Sequence, residues 1–160
     1  MMGRILAYLL RFAVILIGYV AAVLAASAFI HVLFLGSAGF LEQDVRPVTG
    51  AAMMFSVPFV ALFVAYFVFV PSAVAIGVAE LLGRRDWLSY ALFGAAVGIA
   101  FIATASGNVD GSYDLTRTPV ALGIVGAGMV GGIAYWLTAG RWAGSWRSAP
   151  QPQVPTSPEP

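Results

Sequence analysis

Ala79-Glu80-Leu81-Leu82-Gly83-Arg84-Arg85-Asp86-Trp87-Leu88 is the stretch on which the fold turns. Apolar sequence runs into it from Ala51 and out of it to Ala105, and only Gly83-Arg84-Arg85-Asp86 divides the two runs. A helix crosses about 30 Å of hydrocarbon in roughly 20 residues, so each run is a membrane span. A connection this short makes the two spans antiparallel neighbours. Pro58 and Pro71 lie in the first of them, and each removes a backbone donor. We read Pro58 as the outer start of that span and Pro71 as a kink midway, which bounds the pair at about 58–82 and 87–105.

The same reading extends in both directions. Upstream, Ile5 to Leu35 is longer than one crossing needs. Arg4, Tyr8 and Arg11 recur at helical spacing, which puts the first turns at the interface and the span at about 12–35. Arg11 followed by an apolar core and Ala26-Ser27-Ala28 also resembles a cleaved signal, but the apolar run continues past that point through Phe29, Ile30, Val32 and Phe34. Gly36 to Gly50 reads as a polar loop with Glu42, Asp44, Arg46 and Pro47. Downstream, Ser106 to Thr118 is a second polar loop, and Pro119 suits the first turn of a last span at about 119–138. Residues 1–147 therefore form one all-α polytopic membrane domain, an antiparallel bundle of four transmembrane helices. Residues 148–160, rich in proline, serine and glutamine, read as a disordered tail.

Composition agrees. Of 160 residues 61% are hydrophobic and 9% charged, against roughly 45–50% and 25% in soluble domains. The absence of cysteine excludes disulfides, thiolate metal sites and a thiol nucleophile, and a single histidine cannot ligate a bis-imidazole haem. A net charge of +1 gives no surface for nucleic acid. We expect no catalytic residue, cofactor or metal, and no enzymatic activity.

All eight basic residues are arginines. Arg4, Arg11, Arg84, Arg85, Arg141 and Arg147 fall on one side of a four-span chain, leaving Arg46 and Arg117 on the other, so both termini are expected in the cytoplasm. Trp87, Trp136, Trp142 and Trp146 fall at the same ends, where an indole anchors among headgroups. Arg4 and Arg11 are read as further interface anchors.

Several motifs have a bland use that outweighs the sharp one. Gly126-Ala127-Gly128-Met129-Val130-Gly131 matches a dinucleotide-binding pattern, yet no βαβ unit follows and no acid stands about 20 residues on. Small residues let helix backbones approach closely in lipid, where no hydrophobic force joins them. Gly94 and Gly98, Gly128 and Gly132, and the stripe Gly123, Ala127, Gly131 are accordingly read as packing faces. Glu80 is the sole acid inside an apolar run, and an intramembrane carboxylate can carry a proton or cation. One turn before Arg84, it reads instead as an interfacial ion pair. His31 could join outer acids in a metal site or pH sensor, but no spacing supports this, and it reads as an interfacial hydrogen-bonding group. Asn108, Asp110, Ser112 and Asp114 lack the remaining positions of a calcium loop.

Ala134-Tyr135-Trp136-Leu137-Thr138-Ala139-Gly140-Arg141-Trp142-Ala143-Gly144 resembles the ending of a group of small, uncharacterised four-span bacterial inner-membrane proteins. The resemblance implies the bacterial inner membrane and no activity. Arginine and alanine without lysine also suit a GC-rich bacterial chain. The expected function is a structural or accessory subunit acting through helix packing, with the bilayer and a membrane-protein partner or a second copy as its surroundings. The alternative is a small oligomeric transporter or channel using Glu80 and the Pro71 kink.

Overall fold

The computed structural model describes residues 2–37, 46–106 and 117–142. They form α1 (Met2–Ser37), α2 (Arg46–Leu82), α3 (Trp87–Ser106) and α4 (Thr118–Thr138), followed by a single 3₁₀ turn at Gly140–Trp142. No strand occurs among the described residues, so the fold is all-α. Four segments, Ile5–Phe34, Ala51–Leu82, Trp87–Ala105 and Thr118–Thr138, are long and apolar enough to cross a membrane, which makes this a multi-pass membrane bundle. The glycine pattern from Gly126 to Gly131 lies inside α4, with no strand before it among the described residues.

The deciding turn is built by local chemistry. Gly83 adopts φ +62°, the left-handed conformation that glycine reaches without a Cβ penalty. Its amide donates to Glu80 O and that of Arg84 to Ala79 O, both at 3.3 Å, a Schellman closure that satisfies the last carbonyls of α2. Asp86 then caps α3, its Oδ2 accepting from the Ser89 amide at 3.0 Å. Asp86 is held below the usual carboxylate range first by its hydrogen bonds from Ser89 and only weakly by Arg84. At α4 the proline falls in the first turn, as its fixed φ favours.

α2 departs from the sequence reading. Its helix begins at Arg46, inside the stretch read as a loop, and passes through both Pro58 and Pro71. Proline costs a helix roughly 3 kcal/mol. In hydrocarbon, leaving the helix strands several backbone groups, each at a few kcal/mol, so the helix continues. The helix therefore begins twelve residues before Pro58, and Pro71 sits within unbroken helix.

Around the bundle the helices follow in chain order, α1 beside α2, α2 beside α3, α3 beside α4 and α4 beside α1. The seams are unequal. α3 and α4 are the most closely packed pair and α1 with α4 the next, whereas α2 touches its neighbours sparsely. Glu42, Asp44, Asn108, Asp110 and Asp114, together with Arg147, Trp146 and residues 148–160, lie outside the described residues.

Candidate functional site

The expected glycine faces pack within the chain. A Cβ on Gly94 would collide with the Gly128 carbonyl, one on Gly128 with that of Gly94, and one on Gly132 with that of Tyr90. Gly98 is nearly as tight, its added Cβ falling 3.0 Å from Ile124 O. Gly131, by contrast, faces α1, where an added Cβ would fall 3.1 Å from Ala22 O, and Ala127 beside it is buried. The two small stripes of α4 thus serve different neighbours, Gly128 and Gly132 meeting α3 while Gly131 meets α1. Gly123 makes no such demand, since a Cβ there would rest 3.7 Å from Leu33 in ordinary contact. Gly18, which the sequence reading passed over, is close-packed as well, since a Cβ added there would fall 2.7 Å from the Ala139 Cβ.

Glu80 has a different partner from the one that spacing suggested. Its Oε1 accepts from Arg11 Nη2, across the α1/α2 seam, and the two side chains are only 16% and 17% exposed. Arg84 is 59% exposed and lies 3.9 Å from Asp86. The reason is geometric. The Schellman turn carries the chain away from the helix axis just before Arg84, while antiparallel α1 and α2 bring two charges buried in apolar runs to the same height. The sequence held that signal, because Arg11 stands inside the run from Ile5 much as Glu80 stands inside the run to Leu82. Arg11 is consequently less an interface anchor than an inter-helix partner.

Above this pair the α1/α2 seam carries two more polar clasps. Tyr19 donates its hydroxyl to Ala65 O at 2.6 Å, and fully buried Ser27 donates to Val57 O at 2.8 Å. His31 follows one turn later, its Nδ1 2.8 Å from Ser27 O. A carbonyl only accepts, so Nδ1 carries the proton, and the ring serves the backbone of its own helix.

At the end of the bundle that carries the Gly83–Asp86 turn, aromatic groups tie α3 to α4. Trp136 Nε1 donates to Arg85 O at 2.6 Å, and the Tyr90 hydroxyl bridges Arg84 O and Gly140 O at 3.2 and 3.4 Å. Tyr90 stacks on Tyr135 with centroids 5.6 Å apart. Arg141 caps α4 through Leu137 O and lies over the Trp142 ring at 5.0 Å. Trp87 and Trp142 are half exposed at this same end, as anchors would be, and Arg4 lies in the first turn of α1.

Between the four helices runs a half-enclosed cavity of about 290 Å³. Its walls are apolar side chains such as Val23, Phe67, Val97 and Ile124, with Tyr19, Ser72, Tyr90 and Tyr135 the polar exceptions. Tyr135 is 4% exposed, and its hydroxyl has no hydrogen-bond partner among the described residues; the same holds for Arg11 Nε. Those two orphaned atoms and the cavity were not visible to sequence reasoning. No protein-family model, curated protein or solved structure matches the chain.

Proposed function

We propose that the chain is a non-enzymatic structural or accessory subunit of the bacterial inner membrane that works by helix packing. The observation that carries this reading is the outer face of α2. Phe55, Phe59, Leu62 and Tyr66 are all more than half exposed, and they recur at intervals of four, three and four residues. That is the heptad spacing by which one helix offers knobs to the holes of another. The partner is a transmembrane helix of another membrane protein or of a second copy.

The six-to-two division of the arginines along the sequence, with Trp87, Trp136 and Trp142 at the turn end, supports cytoplasmic termini under the positive-inside rule. The resemblance of the final span and the lysine-free composition support a bacterial source. The Arg11–Glu80 pair weighs against a transporter reading, since a guanidinium already balances the one carboxylate of the apolar runs.

Photo-crosslinking residues placed at Leu62 and Tyr66, tested in native membranes, should give one discrete protein adduct, while the same residue at cavity-facing Val64 should not. Lipid adducts alone at every position would overturn the proposal. For orientation, a reporter that fluoresces only in the cytoplasm should be bright when fused after Trp142 and dark when inserted near Asp44.

A further inference from the structure

We propose that the central cavity is a binding site for one hydrocarbon chain of a neutral, carbonyl-headed amphiphile taken from the bilayer. The shape argues for a chain. At about 290 Å³ the cavity lies at the small end of ligand sites, roughly 300–1,000 Å³. Its wall on α3 nonetheless runs from Tyr90 to Phe101 and on α4 from Ile124 to Tyr135, about 16 Å of helix each at 1.5 Å per residue. A space so long for its volume takes an extended chain lengthwise and not a compact ring system.

The polar end argues for the head group. Tyr135 lines the cavity, is almost wholly buried, and leaves its hydroxyl unpartnered among the described residues. Arg11 Nε is the other orphan; Arg11 does not line the cavity, but it lies close to the Tyr135 end. Val14, one turn from Arg11, and Ala79, adjacent to Glu80, both pack in the cluster that contains Tyr135. The Tyr135 hydroxyl can donate into the cavity, and an acceptor oxygen there would satisfy it. A buried unmade hydrogen bond is expensive, which favours an occupant that supplies one. Arg11 and Glu80 already neutralise each other, so no net charge remains to hold an anion. The acceptor is therefore an uncharged carbonyl such as that of an acyl ester. Access is lateral, along the sparsely packed seams of α2.

The test uses the full chain in lipid nanodiscs and a monoacylglycerol with a diazirine at mid-chain. Labelling should saturate, map to cavity residues such as Val97 and Ile124, and be displaced by unlabelled monoacylglycerol. Displacement by added diacyl phospholipid as well would assign the source to membrane lipid, and resistance to it would assign a free monoacyl species. Tyr135→Phe should weaken labelling about two- to tenfold, the value of one hydrogen bond. Ala75→Phe, which fills the cavity from the loosely packed α2, should abolish it. Unsaturable labelling spread over the outer face of α2 in the wild type would overturn the site, whatever the variants do. Equal labelling by a diazirine alkane, with no response to Tyr135→Phe, would overturn the head-group assignment.

Discussion

The α3/α4 seam and the α1/α2 seam join antiparallel helices by opposite means. In the first, glycines at 94, 98, 128 and 132 bring backbone against backbone, so that dispersion and weak Cα–H···O contacts act over the shortest distances. In the second, the helices pack more sparsely, and Arg11–Glu80, Tyr19 to Ala65 O and Ser27 to Val57 O clasp at intervals of about 12 Å along α1. Lipid explains why both devices are needed. Without a hydrophobic force between spans, a helix is held either by removing side chains from the contact or by giving it polar ones. The glycine seam should therefore fail when volume is added, and the clasped seam when polar atoms are lost.

The largest effect is expected at Gly94. Overpacking usually costs about 1–3 kcal/mol because neighbouring side chains can shift. The group that a Gly94 side chain meets is the Gly128 carbonyl, so the helices themselves must part. Gly94→Leu should abolish the folded bundle in mild detergent, as judged by loss of a cooperative thermal transition. Gly77→Leu, on α2 where nothing lies within 4 Å, should melt like the wild type. If both leucines were tolerated, the backbone contact would not be what holds the seam.

Next comes the ion pair. Removing one member of a buried pair costs about 3–5 kcal/mol, and the residual exposure of Arg11 and Glu80 points to the lower end. Arg11→Ala and Glu80→Ala should each lower the melting temperature clearly, whereas Arg84→Ala, at the surface, should change stability by less than about 1 kcal/mol. Joint replacement of Arg11 and Glu80 by methionine should recover most of the loss, because no charge is then left alone. A large effect from Arg84→Ala with none from Arg11→Ala would restore the pairing suggested by spacing.

The neutral clasps follow. Interhelical hydrogen bonds in membrane proteins average about 0.6 kcal/mol. Tyr19→Phe should cost about that much and loosen α2 without unfolding the bundle. Hydrogen exchange in the middle of α2 should quicken while that of α4 stays unchanged. Uniform quickening in all four helices would mean that the clasped seam is not a separate unit.

How much of this could be read beforehand depended on distance along the chain. The four spans, the hairpin at Gly83 and the Gly94/Gly98 face came from apolar run lengths and i,i+4 spacing, which are local. The start of α2 is not legible because polar residues such as Arg46 and Thr49 read as loop, although a helix can extend beyond hydrocarbon into headgroups. The partner of Glu80 was missed for a different reason. Spacing ranks neighbours within one helix, and the Arg11 contact depends on the relative height of two helices, which only packing sets. Nothing local marks Tyr135, whose ring lies against the space beside Gly18 and stacks on Tyr90.

The smallest effect belongs to the turn that links the two kinds of seam. Asp86 caps α3 at the point where the loosely held α2 hands the chain to the glycine seam, and its folded carboxyl titrates below the ordinary value of 3.8. A carboxylate depressed on folding adds stability that is fully present above its unfolded pKa. That contribution declines as pH falls through the unfolded and then the folded value. The wild type should therefore lose stability between about pH 5 and pH 3 in part through this group. In Asp86→Asn the side chain can still cap but cannot titrate. Melting both proteins in nanodiscs across this range cancels the shared acids, and the wild-type curve should fall slightly more steeply. The effect is small because the side chain is about half exposed, where water screens its interactions. Parallel curves would mean that the cap contributes nothing through its charge, and that the Schellman turn at Gly83 alone fixes where α2 ends and the glycine seam begins.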